Sequence, residues 1–162
     1  YVRASECRTW PECRDLLQSI IQDRDERFAS LSLTRFISRM LAPSIRRMFE
    51  LHYYGLAKRQ LAGVAIAVRM HQVDKGNLPD TLADLAPNYL ADVPMDPMGQ
   101  AGSRIRYINE TNMPRLYSVG LNGRDDQGAY DDQAECRDGT KEILLFLKGR
   151  PSECIFRFDE DD

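Results

Sequence analysis

Eleven residues, Asn122-Gly-Arg-Asp-Asp-Gln-Gly-Ala-Tyr-Asp-Asp132, bring four carboxylates and the Asn122 amide into one glycine-bearing loop. Calcium takes six to eight oxygen ligands, backbone carbonyls among them, on loops flexible enough to curl around it. Asn122, Asp125, Asp126, Asp131 and Asp132 are therefore the candidate metal ligands, with carbonyls near Leu116 and Val119. The spacing is not that of an EF-hand, because Asp125 and Asp126 are adjacent and no Glu closes twelve positions on. The competing reading is a solvated acidic turn.

Four cysteines, Cys7, Cys13, Cys136 and Cys154, form the second candidate set. An even number suggests disulfides, and four allow three pairings. Cys7 and Cys13 are close enough in sequence to clip an N-terminal turn. Cys136 and Cys154 flank the apolar run Glu142-Ile-Leu-Leu-Phe-Leu147 and could staple a hairpin. A four-ligand zinc site and free thiols in a reducing compartment are the alternatives, although no Cys-x-x-Cys spacing occurs.

The remaining chemistry is sparse. His52 and His71 are nineteen apart, about 100° around a helix, so they do not share a face. Asp92 and Asp96 invite a carboxylate-pair reading, but they flank Val93-Pro94 in a turn, where aspartates cap amides. There is no nucleophile elbow and no glycine-rich phosphate loop. Tyr53-Tyr54 among Arg46, Arg47, Lys58 and Arg59 could stack on a nucleic acid strand, yet helix packing explains the same residues. No nucleic acid partner and no catalysis are expected.

These residues need elements to hold them. Glu12 to Arg27 sets Leu16, Leu17, Ile20 and Ile21 at helical spacing, with Pro11 suited to a first turn. Ser30-Leu-Ser-Leu is a break, and Thr34 is a plausible N-cap for a second helix to about Ala42. Pro43 is expected to kink or divide it. A helical pattern resumes from Ser44 to about Asp74 and carries Gly55, Ala57, Ala62, Gly63, Ala65 and Ala67, which permit close approach by a neighbour. Gly76 suits the position just past the helix end. Leu82 and Leu85 belong to one short helical turn. Arg104 to Ile108, Pro114 to Val119, Lys141 to Lys148 and Cys154 to Phe158 read as strands. Helices first and strands after make an α+β class, with N-terminal helices and one long helix packed on a small antiparallel sheet.

The string from Ala57 to Asp132 resembles the C-terminal head of type II secretion major pseudopilins, a bacterial envelope family. The matched pieces are a long helix ending in Asp74-Lys-Gly-Asn-Leu-Pro79, then Leu82 and Leu85, and then Tyr89-Leu-Ala-Asp-Val-Pro-Met-Asp-Pro97 with Gly99. Tyr107, Leu116-Tyr-Ser-Val-Gly120, Asn122-Gly123 and Asp125-Asp126-Gln-Gly128 follow in order. The resemblance implies a pilin-like fold, a structural role in assembly, and calcium in the loop from Ser118 to Asp132. It departs at Asn122, where the family often has an acid. It departs again at residues 1–50, which are charged and interrupted by Pro43, and at Ala134 to Asp162, which has no counterpart.

Bulk composition fits that reading. The 162 residues are 43% hydrophobic and 29% charged with a net charge of −3, an ordinary globular balance. Residues 1–60 are net +4, 61–123 net −1 and 124–162 net −6. Basic residues in the first part alternate with apolar ones as on a solvated helix face. No stretch approaches the ~18 apolar residues of a membrane span. A chain starting at Tyr1 is expected to be cut from something longer, with any anchor upstream. The expected organisation is a helical extension over 1–50, a pseudopilin-like head over 51–132 and a C-terminal β extension over 133–162. The expected function is a non-catalytic structural domain of a periplasmic or extracellular envelope protein, calcium-stabilised and disulfide-bonded, with protein partners of the envelope or of a secretion system. The alternative is a binding subunit of a larger soluble complex.

Overall fold

The computed structural model describes residues 7–27, 32–110, 114–128 and 143–147; at 24–27, 32–42 and 143–146 it describes the backbone alone. Two helices precede a three-stranded antiparallel sheet, an α+β arrangement. Helix α1 is Trp10–Arg27. Pro11 lies in its first turn, where a backbone N–H has no intrahelical acceptor. The Trp10 N–H, one of those orphans, donates to the Pro97 carbonyl at 2.8 Å, so the start of α1 is tied to a loop far away in sequence.

Helix α2 is Ser32–Lys75, 44 residues and about 66 Å long. Pro43 lies inside it. The expected division there does not occur, and the expected boundary between residues 50 and 51 falls within one helix. Proline removes one amide donor and crowds one carbonyl, and the helix continues past that loss because turns on both sides keep their own bonds. Gly76, at φ 79°, ends α2 and donates to the Gln72 carbonyl at 2.9 Å, the left-handed stop expected from its position. His71 Nδ1 donates to the Asn77 carbonyl at 3.2 Å and ties the helix end to the next turn.

A short 3-10 helix, Leu82–Leu85, follows and buries both leucines. Asp84 accepts from the Thr81 amide at 2.8 Å and from its hydroxyl at 3.1 Å, closing the turn on itself. Strand β1 is Arg106–Ile108, β2 is Arg115–Ser118 and β3 is Ile143–Phe146. Strand β2 is central, with Tyr107 opposite Leu116 and Leu116 opposite Leu145. The strands expected at 104–108 and 114–119 are thus present in trimmed form, the one expected at 141–148 is present over Ile143–Phe146, and the one expected over 154–158 lies outside the described residues. Strand β3 adds to the same sheet as β1 and β2, so the expected boundary at 132/133 does not separate the described strands.

One buried cluster joins the helices to the sheet. It includes Trp10, Cys13 and Leu17 from α1, Tyr53, Ala57, Leu61, Val64 and Val68 from α2, and Leu116 from β2. The small Ala57 is fully buried, as close packing of α2 requires. Residues 7–27 therefore share the core of the expected head.

Candidate functional site

Strand β2 is buried at all four positions, which a strand with one open face would not be. Its two faces are covered by different things. Leu116 belongs to the core, while Arg115 and Tyr117 lie beneath the loop that follows the strand. The Gly128 carbonyl accepts from Arg115 Nε at 2.8 Å, and Asp125 accepts from the Tyr117 hydroxyl at 3.3 Å. Gly128, at φ 64°, meets the sheet closely: a Cβ there would stand 2.9 Å from Ile108 and 3.1 Å from Arg115. Glycine is needed at this contact for both its conformation and its missing side chain.

Beneath the loop lies Asp96, 1% exposed. Its carboxylate accepts from the Met98 amide at 2.9 Å, the Ser118 hydroxyl at 2.6 Å and the Val119 amide at 3.0 Å. Arg106 completes its surroundings as an ion pair at 3.5 Å, too long to count as a hydrogen bond. Arg106 Nε also pairs with Asp125 at 2.9 Å. One guanidinium thus neutralises a buried and a loop carboxylate together, while its plane lies 5.8 Å from the Tyr117 ring. Gly99 belongs to the same turn, where a Cβ would run into the Ser103 hydroxyl.

Asp92 and Asp96 do not form a carboxylate pair. Asp92 is exposed and bonded to Arg104 at 2.6 Å, which holds its carboxyl below the usual range. Asp96 caps amides, as expected of a turn aspartate. Nothing in the local sequence signals that its other partners lie more than twenty residues on, at Ser118 and Val119. Arg106 went unnoticed for the same reason: as one residue of an alternating strand it carries no mark of the carboxylates it joins.

The proposed metal ligands are only partly within view. Asn122 accepts from the Arg124 amide at 3.0 Å, folding its side chain onto its own turn. Asp125 is engaged by Arg106, Tyr117 and the Gln127 amide. Asp126 is exposed. Among the described residues no three carboxylate, imidazole or thiol groups come together as a cation site. Of the five proposed ligands, Asn122, Asp125 and Asp126 lie within the described residues, and Asp131 and Asp132 lie outside them.

Cys136 and Cys154 also lie outside the described residues. Cys7 and Cys13 are thiols, with no disulfide between them. They are nonetheless neighbours: Cys13 and Tyr53 belong to one buried cluster and Cys7 packs against it. Burial pushes Cys13 up to about 11, with Cys7 adding to the rise. Burial pushes the Tyr53 phenol up as well. The Tyr53 hydroxyl donates to the Cys7 carbonyl at 2.9 Å, and its ring stands 6.1 Å from Trp10.

That packing accounts for the tyrosine pair among basic residues. Tyr53 is buried, Tyr54 lies under Lys58 at 4.3 Å, and Arg46 and Arg47 both bond to Glu50. His52 is exposed and His71 buried on different faces of α2, with His71 set edge-on to Tyr89. An apolar groove lies between α1 and α2, lined by Trp10, Leu17, Ile20, Ile21 and Ile45 with Arg14, Gln18 and Arg46 at its edges. None of these side chains is a carboxylate, thiol or imidazole. Comparison with protein families, with curated proteins and with solved structures finds no match to this chain.

Proposed function

We propose that the chain is a non-catalytic structural domain of a bacterial envelope protein, pseudopilin-like, that meets its protein partners through the outward face of α2. The observation that carries this proposal is the apolar character of that face. Met48, Leu51, Ile66, Met70 and Val73 are each more than half exposed. Their spacing puts them on one side of the helix. Gly55, Ala62 and Gly63 lie on the same side and are exposed. A Cβ at Gly55 or Gly63 would meet no atom within 4 Å among the described residues. A glycine inside a helix costs roughly 1 kcal/mol relative to alanine, so the chain's own packing gives no reason for either. Close approach by another protein does.

The resemblance to pseudopilin heads supplies the rest of the proposal. The domain is periplasmic or extracellular, held to the membrane by a segment upstream, and its partners are other envelope or secretion-system proteins. Calcium is proposed as a stabiliser and not as a catalytic metal. Thermal unfolding with calcium and with a chelator checks that part: a higher Tm with calcium is expected, and equal values remove calcium from the proposal.

The test of the main proposal uses the full-length protein in the cell that makes it, with a photo-crosslinking residue at position 66. The expected result is an envelope fraction containing one adduct with a second envelope protein. Met70→Glu should abolish the adduct while moving stability by no more than about 0.5 kcal/mol, as for an exposed site. A cytosolic protein whose adduct with a soluble partner survives Met70→Glu would overturn the proposal in favour of a subunit of a soluble complex.

A further inference from the structure

We infer that Cys7 and Cys13 are a redox-active dithiol, closing to a disulfide in the folded protein by exchange with a small-molecule disulfide and so latching the segment before α1 onto the core. The inference is independent of the pseudopilin-like reading, because it rests on how three elements meet around the two sulfurs.

Six residues of extended chain would separate the sulfurs by as much as ~20 Å. The fold instead packs both at one cluster, beside Tyr53. Tyr53 reaches across from α2 to hold the Cys7 carbonyl at 2.9 Å. Cys13 lies in the first turns of α1, its amide bonded to the Thr9 carbonyl at 3.2 Å. Trp10, between them in sequence, is fixed by its backbone to Pro97 at 2.8 Å and by its indole to the Leu121 carbonyl at 3.2 Å. Each anchor holds the chain on one side of the pair, so their shared position is a product of tertiary structure as well as of short spacing.

The two sulfurs are unequal, which sets an order of events. Cys7 is half-buried and can meet a small molecule, whereas Cys13 is 0% exposed. The Cys7 thiolate attacks one sulfur of the small disulfide; a sulfur–sulfur bond forms to Cys7, and the other half leaves as a thiolate that takes up a proton. The Cys13 sulfur, giving up its proton, then attacks the Cys7 sulfur and expels the second half, which leaves as a thiol. Two protein thiols and one small disulfide become one protein disulfide and two small thiols. The two electrons pass to the small disulfide, and no other oxidant is required. Cys13 keeps its proton well above neutral pH, so the second step is the slow one and quickens as pH rises.

The experiment equilibrates the full chain with oxidised and reduced glutathione, quenches in acid, alkylates the remaining thiols and maps the peptides. Mapping counts Cys136 and Cys154 separately from this pair. The Cys7–Cys13 bridge is expected to form in the native protein with an equilibrium constant at least tenfold larger than in urea. Equal constants would show that the fold adds nothing to sequence proximity and would overturn the inference. Cys13→Ser is expected to stop at the mixed disulfide on Cys7. Cys7→Ser, which keeps the carbonyl that Tyr53 bonds, is expected to leave Cys13 unmodified under native conditions. Native chain that halts as a Cys7 mixed disulfide, or Cys13 modified first in Cys7→Ser, would overturn the latch.

Discussion

Replacing Asp96 by alanine removes the acceptor for the Met98 amide, the Ser118 hydroxyl and the Val119 amide at once, and leaves Arg106 facing Asp125 alone. Orphaned buried donors cost ~1–3 kcal/mol each, and breaking a buried charged cluster on one side costs ~3–5 kcal/mol. The expected loss on Asp96→Ala is therefore about 3–5 kcal/mol, measured by urea unfolding. Gly128→Ala should cost about 1–3 kcal/mol, because φ 64° and a contact of 2.9 Å to Ile108 oppose any side chain there. Cys13 gives the reduced protein a pH dependence of known sign. The folded state holds the thiol proton more tightly than the unfolded chain, whose cysteines titrate near ~8.5. This contribution is complete below that pH and is lost as pH rises through about 11. Stability should fall by on the order of 2 kcal/mol over that interval, more steeply than in Cys13→Ala, when urea midpoints are compared at the two ends.

Among the elements, what local pattern dictates was readable in the sequence. Helix α1 follows from Leu16, Leu17, Ile20 and Ile21 at helical spacing, the end of α2 from Gly76, and the buried turn after it from Leu82 and Leu85. Pro43 does not divide α2, because its cost is local while the packing that sustains the helix is spread along it. The loop after β2 was readable only as glycine- and acid-rich. Its work as a cover over Arg115 and Tyr117 depends on a fold-back that no short window contains. At this scale Gly55→Ala and Gly63→Ala provide a test. With open space around each and helical backbone at both, each substitution is expected to raise stability by roughly 0.5–1 kcal/mol in the isolated chain. The same pair should weaken the adduct formed through position 66, since a methyl group would then stand where the partner approaches.

At the scale of the whole molecule, α1 and α2 are joined to the sheet through one core. Trp10, Cys13 and Leu17 pack with α2 and β2, and β3 pairs with the strand that α2 covers. Burying side chains of this size stabilises by ~1.5–3 kcal/mol apiece. A domain has only ~5–15 kcal/mol in all. Removing residues 1–27 is therefore expected to unfold the remainder, seen as loss of protection in hydrogen exchange along α2 and β2. Retention of native protection in the truncated chain would mean that the head stands without α1. Among the described residues no helix is long and apolar enough to cross a membrane.

Trp10 is the single tryptophan of the chain, and its indole N–H is bonded to the Leu121 carbonyl in the loop that follows β2. A buried indole emits at shorter wavelength than one in water, and its excited state responds to the group at its nitrogen. The molecule therefore carries its own optical reporter at the point where the N-terminal helix, the Asp96 turn and the covering loop meet. Lifting of the loop would move that emission to the red without any attached dye.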